Sequence, residues 1–351
     1  MQYAKCAVLP AVVIADPSAD CWPCLPCTSR NANHGTAKKR AVVNHVCRPA
    51  SSVTGVDCSP LQRIPLSFRI GRFKGADARG RYLSQYEELR VLSPQPDVVH
   101  DVPTEFGTVR VYQHGPEGGV SVVLIHGFFL TSAMWWEQVA DLAGDFTVYV
   151  VDALGQPGES VQSKAMFTPA DSARCVDAVL QGLQLQGVHL VGHSYGGWLA
   201  THAAAIAPHR LASVTLVDPA NTVARLSTRF WASVALQGRP GSTRARRAAT
   251  WITGHHALAT LFGAGFAEFV PPLRTPPFRL ISDQVLRSVG LPVQVLLAGN
   301  TVHNSQEGIA RMRSVVPDWR YRLWPNASHA LPVELPDEVN DFIRRFVTEH
   351  R

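Results

Sequence analysis

The chain has 351 residues, of which 46% are hydrophobic and 17% are charged, a composition typical of a globular protein with a sizeable core. It contains no run of about 18 uncharged apolar residues, so a membrane-spanning helix is not expected. The formal net charge is +6, but residues 1–65 contribute +4 of it through seven Lys/Arg and three Asp/Glu. The rest of the chain is close to balanced, and we therefore expect no nucleic-acid partner.

Residues 1–65 are predicted to be a low-complexity, disordered N-terminal extension. They lack helical or strand periodicity, are rich in Pro, Ser and Ala, and hold six of the seven cysteines. The spacing of Cys21, Cys24 and Cys27 could suit a metal ion, but no second ligand pair follows at a recognisable distance along the chain. We therefore favour disorder over a metal site in this segment.

Two further features bear on where the protein acts. Residues 1–15 contain a short apolar patch that is interrupted by Pro10 and lacks a convincing cleavage site, which makes a poor signal peptide. Beyond residue 65 the sequence has a single cysteine, Cys175, which is compatible with a reducing compartment. These features predict a cytoplasmic protein.

From about Leu66 onward, strand-like and helix-like segments alternate. Runs typical of strands occur at 108–113, 120–125, 146–151, 188–191, 211–217, 292–298 and 320–323. Helical patterns occur at 76–92, 132–142, 168–185, 198–207 and 339–347. The third helix begins with Thr168-Pro-Ala-Asp171, which predicts an N-cap threonine, proline at the first helical position and an acid three residues on. Such alternation predicts a mostly parallel sheet with helices on both faces.

Residues 221–290 interrupt the alternation. They lean towards helix, carry several aromatic residues, and include a proline-rich patch at Pro271-Pro272 and Pro276-Pro277. We interpret this stretch as an insert between two strands of the sheet. Some of its aromatic side chains are expected to form its own core, and others to line an apolar ligand pocket.

The sequence Gly192-His-Ser194-Tyr-Gly196 separates a strand-like run from a helical segment. A tight turn between a strand and a helix forces its central residue into a strained conformation, so the residues two positions away on each side must be small. The serine hydroxyl can then project from the edge of the sheet, and the N–H after it faces developing negative charge at a helix start. This context predicts that Ser194 is a nucleophile.

Four segments in this order resemble the α/β-hydrolase superfamily over about residues 95–351. They are His126-Gly127-Phe128, the stretch from Asp152 to Ser160, the motif from Gly192 to Gly196, and Asn326-Ala-Ser-His329 followed by a closing helix. The resemblance implies an eight-stranded, mostly parallel sheet with helices on both faces. It also implies that 66–351 form one domain, with 221–290 as a helical cap inserted after the sixth strand.

The resemblance also implies the roles of individual residues. Ser194 would be the nucleophile and His329 the general base, because an imidazole can take the hydroxyl proton and return it to the leaving group. The backbone N–H groups of Phe128 and Tyr195 would form an oxyanion hole, where losing one donor typically costs about 100- to 1,000-fold in rate. His126 is expected to support the oxyanion loop, and His193 to pack beside Ser194.

The acidic member of the triad departs from the family pattern. Val302 falls where the family usually carries an acid after its seventh strand, and Glu307 lies too far along, at the start of the next helix. Some haloalkane dehalogenases carry the acid after the sixth strand instead, and Asp218 occupies that position here. An acid there can orient the imidazole equally well. We favour Asp218, with Asn300 as a weak polar substitute.

The function implied by the resemblance is a carboxylesterase- or lipase-like serine hydrolase. Serine in the elbow fits cleavage of a carboxylic ester or similar acyl bond through an acyl-enzyme intermediate, whereas dehalogenase and epoxide-hydrolase chemistry needs aspartate. Trp135 and Trp231 are candidates for the substrate pocket. No metal or organic cofactor is implied, the expected partner is a small-molecule acyl substrate, and the oligomeric state stays open.

Two alternative functions remain at this point. The same triad could serve C–C bond hydrolysis or acyl transfer, which the cap and the access of water decide. A non-catalytic ligand-binding protein on this fold is the other alternative, and the missing acid after the seventh strand keeps it open.

Overall fold

The computed structural model describes residues 70–239, 241–272 and 278–351. The predicted extension at 1–65, with its six cysteines, lies outside the described residues, as do Pro276 and Pro277. The predicted division into an extension, a domain at 66–351 and a cap at 221–290 stays a prediction.

The described strands and helices follow the alternation seen in the sequence. The strands are β1 (Arg72–Phe73), β2 (Val98–Thr104), β3 (Gly107–His114), β4 (Ser121–Ile125), β5 (Thr147–Val151), β6 (Val161–Gln162), β7 (Val188–His193), β8 (Leu211–Val217), β9 (Phe269–Val270), β10 (Val293–Asn300) and β11 (Arg320–Ser328). The helices are α1 (Ala76–Arg90), α2 (Trp136–Leu142), α3 (Pro169–Gly182), α4 (Tyr195–Ile206), α5 (Thr228–Leu236), α6 (Thr243–Thr253), α7 (His256–Glu268), α8 (Asp283–Arg287), α9 (Ser305–Val315), α10 (Leu331–Glu334) and α11 (Pro336–Glu349).

The main sheet is mostly parallel, as predicted. Eight strands run in the order β11-β10-β8-β7-β4-β5-β3-β2, and the two-residue β6 pairs with β3 as a ninth. The strands from β5 to β11 along this order pair in parallel, whereas β3 is antiparallel to β2, β5 and β6. The carboxyl ends of β4, β5, β7, β8, β10 and β11 therefore meet at one edge, where ligands bind in open α/β sheets.

The central strands are buried on both faces, which explains their continuous apolar sequences. In β4, Val123 and Ile125 belong to one hydrophobic cluster, and Val122 and Leu124 belong to the other. Helices α3 and α4 pack together beside the first cluster, and α2 packs against α11 beside the second. The two clusters together hold the sheet as a rigid support for the loops at its carboxyl edge.

Local signals also match the structure. Thr168 caps α3 in a capping box with Asp171, and a proline stands in the first turn, as the sequence predicts. Helices α5, α6 and α7 lie in the chain between β8 and β10. The last of them ends at Glu268, whose carboxylate pairs with Arg81 of α1 at 2.7 Å. Within the three described ranges, no helix combines the length and apolar character needed to cross a bilayer.

Candidate active site

The turn around Ser194 has the strained geometry that its sequence predicts. Ser194 has φ 53° and ψ −112° between β7 and α4, a left-handed backbone that is costly for a residue with a side chain. A Cβ on Gly192 would lie 2.3 Å from the carbonyl oxygen of Gly196, and a Cβ on Gly196 would lie 2.1 Å from that of Ile125. The two glycines therefore permit the approach of β7, β4 and α4 that exposes the serine at the sheet edge.

Replacing Gly196 with alanine is expected to destabilise the protein by about 1–3 kcal/mol, because the new methyl group clashes with backbone rather than with a flexible side chain. Gly80→Ala is the matched control, since a Cβ there meets nothing within 4 Å inside α1 and alanine favours helix by about 0.5–1 kcal/mol. Urea denaturation of both variants measures the difference. Equal unfolding free energies for Gly196→Ala and the wild type would contradict this account of the turn.

Ser194, His329 and Asp218 lie within hydrogen-bonding distance of one another in sequence-remote loops. The hydroxyl of Ser194 donates to Nε2 of His329 at 2.9 Å, and Nδ1 of His329 donates to Oδ2 of Asp218 at 2.5 Å. All three residues are buried, with Asp218 fully so. The arrangement joins a hydroxyl, an imidazole and a carboxylate in the order that proton transfer from serine requires.

Asp218 is held in its ionised form by its neighbours. Its burial opposes ionisation, but His303 and His329 outweigh that effect and hold the pKa of Asp218 below its ordinary value. The backbone N–H of Ala298 also donates to Oδ1 at 3.0 Å. Asp218 has φ 43°, so the chain turns sharply after β8 and directs the carboxylate across towards β10.

Two residues that the sequence analysis does not single out also reach this carboxylate. The hydroxyl of Thr301 donates to Oδ2 of Asp218 and lies 3.2 Å from Nδ1 of His329. Nε2 of His303 lies 3.2 Å from Oδ1. They flank Val302, which is fully buried, so the loop that lacks an acid supplies two polar contacts to the acid on the neighbouring strand.

Two further histidines support the site as neutral side chains. Nε2 of His193 donates to the backbone oxygen of His329 at 2.8 Å, and burial, followed by the charge of His329, lowers the pKa of His193 to about 3. Nδ1 of His126 donates to the carbonyl oxygen of Gly127 at 2.8 Å, while its Nε2 accepts the N–H of Ala153 at 2.9 Å. Burial lowers the pKa of His126 as well. His126 thus joins the loops after β4 and β5, and His193 fixes the backbone that carries His329.

The loop after β4 passes close to Ser194 and offers backbone donors. A Cβ on Gly127 would lie 3.4 Å from Cβ of Ser194, and the N–H of Phe129 donates to Oε1 of Gln156 at 3.0 Å. Within the described part of the chain, the N–H groups of Phe128 and Tyr195 donate to no other group. The second of these begins α4, whose N-terminal dipole favours negative charge.

An aromatic residue of α7 packs against this loop, and the two tryptophans predicted for the pocket differ in burial. The ring centroid of Phe266 in α7 is 4.3 Å from that of Phe129 and 6.4 Å from that of Phe128. Trp135 is fully buried, and its ring meets that of His193 edge to face at 6.4 Å. Trp231 is 46% exposed. The ring of Trp135 thus lies in the core beside His193, and that of Trp231 is partly exposed. The pocket role of both tryptophans stays a prediction.

Comparisons with known proteins show similarity to α/β hydrolases and carboxylesterases. A family model described as the alpha/beta hydrolase fold matches residues 120–252. The chain is 28% identical to carboxylesterase YbfK of Bacillus subtilis over 289 residues, covering 79% of this chain and 96% of that one. It also resembles the crystal structure of naproxen esterase (carboxylesterase NP) from the same species, with a TM-score of 0.72, 27% identity, and coverage of 78% of this chain and 99% of that one.

Proposed function

Because this chain belongs to the α/β-hydrolase superfamily as an esterase-like member, we propose that it hydrolyses small carboxylic esters through an acyl-enzyme formed on Ser194. His329 is the general base and Asp218 the acid that orients it. The N–H groups of Phe128 and Tyr195 bind the oxyanion. The cytoplasm remains the proposed location.

The proposed reaction has two symmetrical halves. The oxygen of Ser194 attacks the ester carbonyl while His329 takes the hydroxyl proton, and Asp218 stabilises the imidazolium that forms. The tetrahedral intermediate places its negative charge against the two backbone N–H groups. Collapse of the intermediate releases the alcohol, which receives the proton from His329. Water then attacks the acyl-enzyme in the same way, and the acid leaves as Ser194 recovers its proton.

The hydrogen-bonded chain from Ser194 through His329 to Asp218 carries this proposal. Its distances of 2.9 Å and 2.5 Å lie within the reach that a nucleophile, a base and its orienting acid require. The same chain also weakens the case for a non-catalytic binding protein, because that alternative depended on a missing acid. The N–H groups of Phe128 and Tyr195 donate to no other group in the described ranges, so they can meet a second requirement of acyl transfer, donors for the oxyanion.

Labelling with a fluorophosphonate probe tests the nucleophile. Wild-type protein is expected to form a stable adduct, and Ser194→Ala is expected to form none, because the probe reacts with an activated serine. Ser172→Ala is the matched control, since Ser172 is also buried but lies in α3, and it should label like the wild type. Labelling that persists in Ser194→Ala would overturn the proposal.

A substrate panel then tests the bond that is cleaved. Short and long acyl esters, lactones and diketones are incubated with wild-type protein and with Ser194→Ala. Ser194-dependent release of acid from esters is the expected result. Ser194-dependent cleavage of diketones alone would instead favour the C–C hydrolase, and transfer to an added alcohol without net hydrolysis would favour an acyltransferase.

A further inference from the structure

The carboxylate of Asp218 lies between two histidines. His329 contacts Oδ2 at 2.5 Å, and Nε2 of His303 lies 3.2 Å from Oδ1. The side chain of His303 is fully buried, and neither of its ring nitrogens makes a well-aligned hydrogen bond with another described residue. Burying an imidazole without hydrogen-bond partners costs free energy, and the contact with Asp218 is the interaction that can offset this cost.

We propose that His303 is a positioning residue that orients the Asp218 carboxylate towards His329 and couples its own protonation to that of His329. This inference rests on the proposed serine-hydrolase function, in which Asp218 orients the base.

The contacts of each carboxylate oxygen explain the positioning effect. Oδ2 accepts hydrogen bonds from His329 and Thr301. Oδ1 accepts one from the backbone N–H of Ala298 and contacts Nε2 of His303. Without His303, Oδ1 keeps a single donor, and the carboxylate can rotate away from the geometry that serves His329. The His303 contact is poorly aligned in the resting protein, and catalytic contacts of this kind often tighten when substrate binds.

The loop that carries His303 is itself anchored to the chain on the far side of Asp218. His303 forms a β-bridge with Leu226, and the N–H of Ser227 donates to the carbonyl oxygen of Val302 at 2.8 Å. Leu226 and Ser227 immediately precede α5. The backbone that carries His303 is therefore fixed beside the carboxylate, which a positioning role requires.

One carboxylate shared by two imidazoles produces the coupling. Neutral His303 leaves the full negative charge of Asp218 available to stabilise the His329 imidazolium. When His303 gains a proton, the same carboxylate already balances one positive charge, so the imidazolium that forms during catalysis becomes less stable. Protonation of His329 removes the general base, and protonation of His303 lowers the rate by weakening the charge that stabilises the imidazolium. Both protonations are therefore expected to reduce activity as the pH falls.

The other titratable groups around this cluster do not obscure that effect. His193, at the end of β7, bonds the backbone oxygen of His329, and burial lowers its pKa to about 3. Burial also lowers the pKa of His126, which follows β4. The pKa of Asp218 is held below its ordinary value. Neither of these two histidines nor Asp218 is therefore expected to set the acid limb of the activity profile.

Two substitutions separate positioning from coupling. His303→Gln keeps an N–H donor near the position of Nε2 but cannot gain a proton, whereas His303→Leu removes both properties. We expect kcat to stay within about threefold of the wild type in His303→Gln and to fall about tenfold in His303→Leu, the effect of losing one hydrogen bond to a charged group. KM should change little in either variant, because His303 contacts the oxygen of Asp218 that does not bond to His329 and acts in the proposed mechanism only through Asp218.

The pH dependence of kcat/KM tests the coupling. The acid limb of the wild type is expected to have a logarithmic slope greater than one, and both His303 variants should show a slope of one. His202→Gln is the matched control, since His202 is also buried but packs against Trp198 in α4, and it should keep the wild-type slope. A wild-type slope of one, or an unchanged slope in folded His303→Gln, would overturn the coupling.

Unchanged kcat in folded His303→Leu would overturn the positioning role. If His303→Leu does not fold, His303→Asn, which has a shorter donor side chain, tests the positioning role. Its kcat should lie between that of His303→Gln and the tenfold lower value expected for His303→Leu. Fluorophosphonate labelling of every variant reports the proposed function separately. Loss of Ser194-dependent labelling in the wild type would refute the serine mechanism itself, whereas an error about His303 leaves that labelling intact.

Discussion

Replacing Ser194 with alanine is expected to lower kcat for ester hydrolysis by about 10⁶-fold, and His329→Ala should cost about as much. In the proposed mechanism, nucleophile and base act as one unit. The hydroxyl, 2.9 Å from the imidazole, is a poor nucleophile without it, and the imidazole has nothing to activate without the hydroxyl. The double variant should therefore be no slower than either single variant. Steady-state kinetics on an ester from the substrate panel measures all three.

Residual activity should remain in all three variants. The N–H groups of Phe128 and Tyr195 are backbone atoms that neither substitution removes, and binding together with an oxyanion hole leaves about 10³- to 10⁴-fold over the uncatalysed reaction. Ser172→Ala controls for the loss of a buried hydroxyl. Effects of Ser194→Ala and His329→Ala that multiply in the double variant would contradict a shared proton transfer.

Much of the fold could be read from sequence because its signals are local. The strand predicted at 211–217 is β8 with the same ends, since a continuous apolar run bounded by polar residues marks a buried parallel strand. The capping box of Thr168 and Asp171 depends on two side chains three residues apart. The strand–turn–helix around Ser194 depends on two glycines. In each case the residues that decide the structure are close together in the chain.

Strand β2 shows where such signals fail. Val98–Thr104 is absent from the predicted strands because His100, Asp101 and Pro103 interrupt its apolar pattern. The strand lies at the edge of the sheet, where one side has no neighbour and several of its residues are exposed. Edge strands tolerate proline and charge. Pairing with β3 therefore creates this strand, and pairing is not visible in the segment itself.

Local sequence signals likewise identify some residues of the candidate site and miss others. Ser194, His329 and the loop at Phe128 follow from motifs, whereas Thr301 and His303 depend on how the loop after β10 turns towards β8. The sequence marks that loop only by what it lacks, because buried Val302 occupies the expected place of the acid. The sequence did contain one signal: Thr301 and His303 are polar residues on either side of buried Val302, just after a parallel strand, and both contact Asp218 at the end of the neighbouring strand.

The two tryptophans predicted for the pocket differ in burial, which their sequence positions do not reveal. Trp135 follows the oxyanion loop closely enough to suggest a pocket residue, but the 3-10 turn at Ser132–Trp135 turns its ring into the core against His193. Trp231 lies on α5 next to Phe230; it is 46% exposed, whereas Phe230 is buried in the core. The aromatic residue that does approach the loop, Phe266, comes from α7.

Asp218→Asn is expected to lower kcat by about 10⁴-fold while leaving KM nearly unchanged. The carboxylate accepts the N–H on Nδ1 of His329 at 2.5 Å, which leaves Nε2 free to accept the proton of Ser194. An asparagine can present its amide N–H to Nδ1 instead, and that contact favours the tautomer in which Nε2 already carries a proton. The variant also loses the negative charge that stabilises the imidazolium.

Asn300→Ala separates this assignment from the other polar residue considered for the acid position. Asn300 is exposed at the end of β10, whereas Asp218 is fully buried against the imidazole, so we expect Asn300→Ala to change kcat by less than about threefold. Measuring kcat of Asp218→Asn and Asn300→Ala at a pH above the acid limb separates the loss of orientation of His329 from changes in its protonation. A large loss in Asn300→Ala together with a small loss in Asp218→Asn would move the orienting group from β8 to β10, and the coupling inferred for His303 would lose its carboxylate.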